Sequence, residues 1–186
     1  MTPQVARIDA HLLNRQGVTR LCYCDSVLHT LPAALGASRE PIQLGAELYG
    51  HAGVAADREV IRLMAATLAA AEVSAACIDL GHVAVFRALA AAAGVDGELE
   101  ATLLFLLQGK DLPGLADTCR CLDEPWRSAL LVLPELYGGV DILARAGREL
   151  PPLPGIVTAL ATLQELQASL PDLCLLYTSD AADEED

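Results

Sequence analysis

Two short stretches in which apolar and polar residues alternate, 20–29 and 39–49, constrain the fold of this chain more than any other feature. Alternation with a period of two is typical of strands, and Pro32 and Gly36 between the two stretches favour a loop. When two strands follow each other so closely along the chain, they form an antiparallel pair. The sequence therefore predicts an antiparallel strand pair with an extended connecting loop.

The second stretch separates its residues onto two chemically different faces. One face is apolar, and the other carries polar groups and a glycine: Ile42, Leu44, Ala46 and Leu48 against Gln43, Gly45, Glu47 and Tyr49. The side chains of Gln43 and Glu47 point the same way, roughly 13 Å apart along a strand. Gly45 between them leaves room for a ligand to reach the backbone. A carboxamide and a carboxylate on one face suit a small cationic ligand, and the alternative is a solvated outer face.

The rest of the chain has the periodicity and composition of helices. Ala and Leu dominate and aromatic residues make up 4%, which favours helices over sheets. Proline and glycine residues separate the helical patterns. The predicted helices cover 1–16, 57–72, 81–93, 98–108, 112–121, 125–133, 140–149 and 156–170, with a short strand at 77–80. This order predicts an α+β fold with one part at 1–97 and a mostly helical part at 98–173. After Pro171 the composition changes and is no longer typical of helices.

The net charge and the hydropathy of the chain argue against nucleic-acid binding and against a membrane span. The chain has 12 basic and 25 acidic residues and a formal net charge of −13, which disfavours nucleic-acid binding because such binding needs a basic surface. Charged residues interrupt the apolar stretch 64–95 well short of the ~20 residues of a membrane span, and the N-terminus lacks an export signal. We therefore expect no membrane association and a cytoplasmic location.

The spacing of the cysteines does not indicate a metal site, and no known catalytic motif indicates an enzyme. Two Cys-x-Cys pairs, Cys22 with Cys24 and Cys119 with Cys121, could bind zinc, but structural zinc sites usually have wider spacing. Buried reduced thiols are the favoured interpretation. The sequence has no phosphate-binding glycine loop, nucleophile elbow or HExxH motif. We expect no catalytic residue, no metal and no cofactor.

Several stretches resemble one protein family. The run RLCYCDSVLHTLPAALGASREPIQLGAELYGHAG, followed by AADREVIRL, resembles motif 2 of class II aminoacyl-tRNA synthetases in its histidyl form. It is still more similar to the histidyl-tRNA synthetase-like regulatory subunits of ATP phosphoribosyltransferase. The segments MTPQVAR, DLGHVAVFRAL and LPELYGG match that family too. The resemblance covers residues 1–172 and implies a partial class II antiparallel sheet with flanking helices in 1–97, with motif 2 at 20–50.

The resemblance also implies roles for particular residues. Gln43 and Glu47 fall on positions that bind the substrate histidine in the synthetases, and Thr2 falls on a threonine that helps to hold its amino group. The synthetase pattern Phe-Arg-x-Glu reads Leu28-His29-Thr30-Leu31 here. His29 replaces the arginine that grips the α-phosphate of ATP, and a mostly neutral histidine is a poor substitute.

The nucleotide side of the implied site is therefore degenerate. Leu31 stands in place of a carboxylate, and Arg39 falls on a basic residue of the motif 2 strand. A pocket that keeps its amino-acid side and loses its nucleotide side suits a sensor of histidine, because binding needs no activation chemistry.

The implied function is that of a non-catalytic regulatory subunit in the first step of histidine biosynthesis. Its partner would be the catalytic subunit of a short-form ATP phosphoribosyltransferase, histidine would be a possible ligand, and self-association is expected in the intact protein. One alternative is a fragment of a histidyl-tRNA synthetase. Another is a structural subunit whose pocket is vestigial.

The last residues differ in texture from the rest. The run Cys174–Glu184, CLLYTSDAADE, resembles one reading frame of a transposase adapter used to prepare sequencing libraries. It predicts that residues 174–186 are an artefactual, disordered tail. Parts of the family pattern would fall before Met1 and after Asp172, so we expect the chain to be an internal fragment.

Overall fold

The computed structural model describes residues 1–32, 34, 36–73 and 76–178. The chain forms two compact units, Met1–Thr67 and Leu68–Asp186. This division differs from the predicted boundary after residue 97. The reason is that the helix at Ala84–Ala92 packs against later helices and so belongs to the second unit.

The first unit begins with helical turns followed by a strand pair. Helix α1 spans Thr2–Arg7, and π-helical turns continue it over Ile8–Leu13. Asn14 then takes a left-handed conformation with φ 41°, which ends the helix earlier than the predicted Gln16. Met1 is the N-cap residue, and Thr2 is the first helical residue and precedes Pro3.

The predicted strand pair is confirmed. Strands β1 (Thr19–Ser26) and β2 (Ile42–Tyr49) pair antiparallel, in a register that places Arg20 opposite Leu48 and Asp25 opposite Gln43. Backbone hydrogen bonds extend the pairing toward the loop, because the Val27 N–H donates to the Pro41 carbonyl over 2.9 Å. At the other end, a Cβ on Gly50 would overlap the carbonyl oxygen of Gly17. Only glycine fits this close approach of the two chain segments.

Helix α2 spans Val54–Ala70 and begins three residues before the predicted start. An ion pair between Arg20 and Glu59 joins it to β1, with Arg20 Nη2 2.8 Å from Glu59 Oε2. None of the α2 side chains is buried, and Leu63 and Met64 are largely exposed. The helix therefore covers its side of the strand pair incompletely.

The second unit holds most of the buried apolar side chains. Its helices are α3 (Ala84–Ala92), α4 (Gly97–Gln108), α5 (Leu112–Thr118), α6 (Trp126–Val132), α7 (Asp141–Glu149) and α8 (Pro154–Ser169), with 3₁₀ turns at Cys119–Cys121 and Leu133–Glu135. Helix α3 packs against α6 and α8, α4 against α5, and α7 against α8. Phe86, Leu103 and Leu130 lie in the centre of this packing. The apolar spacing of the sequence predicts these helices to within a few residues at each end. Among the described residues, no helix is long and apolar enough to cross a membrane.

A short parallel strand pair completes the second unit. Strand β3 (Cys77–Gly81) confirms the predicted strand and pairs with β4 (Cys174–Thr178), and a disulfide joins Cys77 to Cys174. Tyr177 is buried within the core. The expectation of disorder is therefore wrong for residues 174–178. The run is apolar and strand-forming, and it pairs with β3 whatever its origin. Residues 179–186 lie outside the described residues, and the artefactual origin of the tail remains a prediction.

Of the four other cysteines, three differ from the expectation of buried thiols and one agrees with it. Cys22 and Cys24 on β1 are exposed, as is Cys121, and Cys119 is buried. Cys22 and Cys24 lie on the face of β1 that α2 covers incompletely, which explains their exposure. Within the described part of the chain, no three His, Cys, Asp or Glu side chains are placed to hold a metal ion.

Candidate functional site

The polar face of β2 is the covered face of the strand pair. Gln43 and Glu47 are partly buried, whereas Ile42 and Leu44 on the apolar face are 77% and 60% exposed. Over residues 42–44 the arrangement is the reverse of an ordinary half-buried strand, in which polar residues face water, and over residues 45–49 both faces are partly buried. The alternative of a solvated polar face is therefore wrong, because the N-terminal helical segment lies on that side.

Gln43 faces the start of helix α1. The α-ammonium group of Met1 donates a hydrogen bond to Gln43 Oε1 over 3.1 Å. Thr2 follows directly and is exposed. The structure therefore brings Gln43 and the Thr2 segment together.

Glu47 belongs to a cluster of acidic and phenolic groups at the other end of the face. Glu47 and Tyr49 are two residues apart on the same side of β2, and Asp9 approaches from the π-helical turns. Burial raises the pKa of Tyr49, and the carboxylates of Glu47 and Asp9 raise it further. The Tyr49 hydroxyl and Asp9 Oδ1 are buried atoms without a hydrogen-bond partner among the described residues.

Sequence reasoning missed the contribution of Asp9 to this cluster. The alternation of β2 places Tyr49 on the face of Glu47, but Asp9 reaches it only through the placement of the π-helical turns. No spacing in the sequence signals such turns.

The space over Gly45 is filled by an aromatic ring. Tyr23 lies directly opposite Gly45 in the strand register, and its ring covers the glycine so closely that a Cβ there would overlap the ring and hydroxyl. The expectation that Gly45 leaves room for a ligand is therefore wrong for this conformation. Cross-strand covering of a glycine by an aromatic ring is a known way to stabilise a strand pair.

The residues of the degenerate nucleotide side lie at the loop end of the strand pair. The His29 N–H donates to the Arg39 carbonyl over 2.9 Å, and Arg39 Nε donates to the His29 carbonyl over 3.1 Å. Leu31 lies in the loop and is 78% exposed. The structure brings His29 and Arg39 together, and Leu31 offers no polar group to either of them.

An open groove of about 220 Å³ lies between the other face of the strand pair and α2. Apolar groups such as Leu48, Val60 and Leu63 form most of its lining. Glu47 and the Arg20–Glu59 pair also contribute to its wall. The groove suits apolar contact rather than recognition of a charged small molecule. The polar face of β2 therefore remains the candidate site for a cationic ligand.

Comparison with known proteins identifies relatives along almost the entire chain. Residues 1–183 match the sequence profile of the family described as Histidyl-tRNA synthetase. The ATP phosphoribosyltransferase regulatory subunit of Azoarcus sp. (strain BH72) is 57% identical over 183 residues, which are 98% of this chain and 47% of that protein. The chain spans about half the length of the curated relatives it matches.

Solved structures show the same fold. A protein from Bacillus halodurans, described as an ATP phosphoribosyltransferase regulatory subunit/histidyl-tRNA synthetase, aligns with a TM-score of 0.85 at 28% identity over 98% of this chain and 49% of its own. A chain of an ATP phosphoribosyl transferase complex from Thermotoga maritima aligns with a TM-score of 0.68 at 16% identity, over 96% of this chain and 64% of its own. The second likeness concerns the fold alone.

These matches confirm the expected α+β fold of the class II synthetase type. The chain belongs to the histidyl-tRNA synthetase family, and the curated relatives that it matches are regulatory subunits of ATP phosphoribosyltransferase.

Proposed function

We propose that the chain acts as a non-catalytic regulatory subunit of ATP phosphoribosyltransferase, in the first step of histidine biosynthesis. The observation that carries the proposal is the asymmetry of the site. Gln43 and Glu47 lie on a covered polar face, whereas His29 and Leu31 occupy the positions where a synthetase needs an arginine and a carboxylate. The names of the curated relatives support the same function.

The proposed partner is the catalytic subunit of a short-form ATP phosphoribosyltransferase. That subunit would supply the chemistry, which joins ATP to phosphoribosyl pyrophosphate, and a cytoplasmic location fits this biosynthetic role. The test is to add the purified protein to the catalytic subunit of the same organism and to measure the rate of product formation. We expect the rate to rise with added protein until the complex is saturated, and no change in rate would contradict the proposal.

We further propose that histidine binds the polar face through Thr2, Gln43 and Glu47. The position of Gln43 beside the segment that carries Thr2 supports it. Glu47→Ala should weaken histidine binding by about 1.5–3 kcal/mol, as expected for the loss of a charge-assisted hydrogen bond.

Calorimetric titration with histidine measures this loss. Glu165→Ala is the matched control, because Glu165 lies exposed on α8 in the other unit and should leave the affinity unchanged. An affinity that stays the same after Glu47→Ala would refute the binding role. It would favour the alternative in which the pocket is vestigial and the subunit is structural.

An active histidyl-tRNA synthetase remains the catalytic alternative. Its adenylation step reverses when pyrophosphate is added, so an ATP–pyrophosphate exchange assay with free histidine distinguishes the two functions. We expect no exchange above background, because histidine at position 29 is a poor substitute for an arginine on the α-phosphate. Robust exchange would overturn the regulatory proposal.

Assembly of the protein with itself and with the catalytic subunit is a further part of the proposal. Light scattering coupled to size-exclusion chromatography, with and without the catalytic subunit, would give the mass of each assembly. A regulatory subunit of the proposed kind should appear in a mixed oligomer with its partner. Separate elution of the two proteins at working concentrations would contradict the assignment of this partner.

A further inference from the structure

Three polar groups meet at the Glu47 end of the candidate site, and only one of them can donate a hydrogen bond at neutral pH. Asp9 and Glu47 are carboxylates and therefore acceptors, whereas the Tyr49 phenol carries a proton. The raised pKa of Tyr49 keeps that proton in place. The hydroxyl is buried without a full hydrogen bond among the described residues, although the carboxylate of Glu47 raises its pKa both by charge and by partial hydrogen bonding, and Asp9 raises it by charge.

A buried donor without a full hydrogen bond is unfavourable, so the hydroxyl gains by completing one. Glu47 is the group best placed to form it, because its side chain lies on the same face of β2, roughly 6.6 Å along the strand from that of Tyr49.

We propose that Tyr49 is a positioning residue that fixes the carboxylate of Glu47 for a cationic amino acid, by donating a hydrogen bond to it when the ligand binds. The proposal rests on the proposed binding of histidine by Glu47. The hydroxyl restricts the carboxylate to one orientation and leaves its remaining lone pairs for the ligand. Asp9, whose charge also acts on Tyr49, contributes a second negative charge that favours a cation.

A double-mutant cycle on the full-length protein tests the coupling. Histidine affinity is measured by calorimetry for the wild type, Tyr49→Phe, Glu47→Gln and the double variant. Tyr49→Phe should weaken binding by about fivefold in the wild-type background and by less than about twofold in the Glu47→Gln background, because the hydrogen bond acts through Glu47. Equal losses in both backgrounds would show a merely structural role and overturn the proposal.

A second cycle with Asp9→Asn separates the two possible acceptors. If the effect of Tyr49→Phe disappears with Asp9→Asn and persists with Glu47→Gln, the hydroxyl serves Asp9 and the proposal is overturned. Tyr137→Phe is the control variant, because Tyr137 is a partly exposed tyrosine of the other unit whose ring contacts Lys110. It should leave histidine affinity unchanged.

The failure of this inference can be distinguished from the failure of the proposed function. A wild type that binds no histidine removes both. A wild type whose histidine affinity depends on Glu47 but not on Tyr49 keeps the proposed function and overturns only the positioning role. Glu47→Asp gives an independent check, since its shorter side chain moves the carboxylate away from the hydroxyl. In that background, Tyr49→Phe should have less effect than in the wild type.

Discussion

Arg20 and Glu59 form the ion pair that joins the first strand to the helix after the second strand, with a bidentate arrangement of the guanidinium and the carboxylate. The hydrogen bond from Arg20 lowers the pKa of Glu59 below its usual 4.5, and the charge of Arg20 adds to this effect. Both side chains are exposed, so solvent screens the pair and its contribution to stability is small. Its effect should nevertheless depend on pH in a defined direction.

A carboxyl group whose pKa is lower in the folded state stabilises the protein above its unfolded pKa, and the contribution is lost as pH falls through the folded pKa. Glu59→Gln should therefore lower the free energy of unfolding at about pH 7 and have less effect at about pH 3. Urea unfolding at the two pH values measures the difference. An effect of equal size at both would show that the ion pair is not its source.

At the scale of secondary-structure elements, the strand pair combines an unusual orientation with one tight packing contact. Its polar face is covered and part of its apolar face is exposed, while the ring of Tyr23 lies over Gly45. The ring and the glycine act together, because the ring can approach the backbone only where no Cβ is present. The two residues should respond to substitution as a pair.

Gly45→Ala should destabilise the protein, because the new methyl group must displace the ring of Tyr23. The expected cost is about 1–3 kcal/mol, which is typical of overpacking. Thermal unfolding of Gly45→Ala, Tyr23→Ala and the double variant measures it. In the double variant, the added cost of the alanine should largely vanish, and purely additive effects would contradict the packing contact.

The sequence predicts these elements well and the candidate site only in part. Helices α2 to α8 and the antiparallel pairing of β1 with β2 follow from local periodicity, which needs no knowledge of tertiary contacts. Gln43 and Glu47 follow from the alternation of one strand. The position of Asp9 beside Tyr49 does not, because it depends on how a π-helical segment lies over a sheet. The ring of Tyr23 over Gly45 is likewise a cross-strand contact, which becomes visible only once the register is known.

At the scale of the whole molecule, buried side chains are distributed unequally between the two units. In the described part of the first unit, Val5 and Thr19 are buried, whereas the second unit contains an extensive core on α3 to α8. Since the burial of apolar surface is the main source of folding free energy, the first unit should open more readily.

Hydrogen exchange provides the measurement. Amides of β1 and β2 should exchange through openings of lower free energy than amides of α3 and α8, because few buried contacts hold the strand pair in place. Native-state exchange monitored by mass spectrometry or NMR resolves the two groups. Similar protection in both would mean that the units unfold together and would contradict the expectation.

The outward-facing Ile42 and Leu44 also affect colloidal behaviour. Apolar side chains on an open strand favour association between molecules, while a net charge of −13 makes the molecules repel one another. Salt shortens the reach of this repulsion to ~8 Å at physiological ionic strength. Precipitation should therefore become easier with added salt and near pH 4.5, where the repulsion disappears. Storage at low ionic strength and alkaline pH follows directly from the orientation of a single strand.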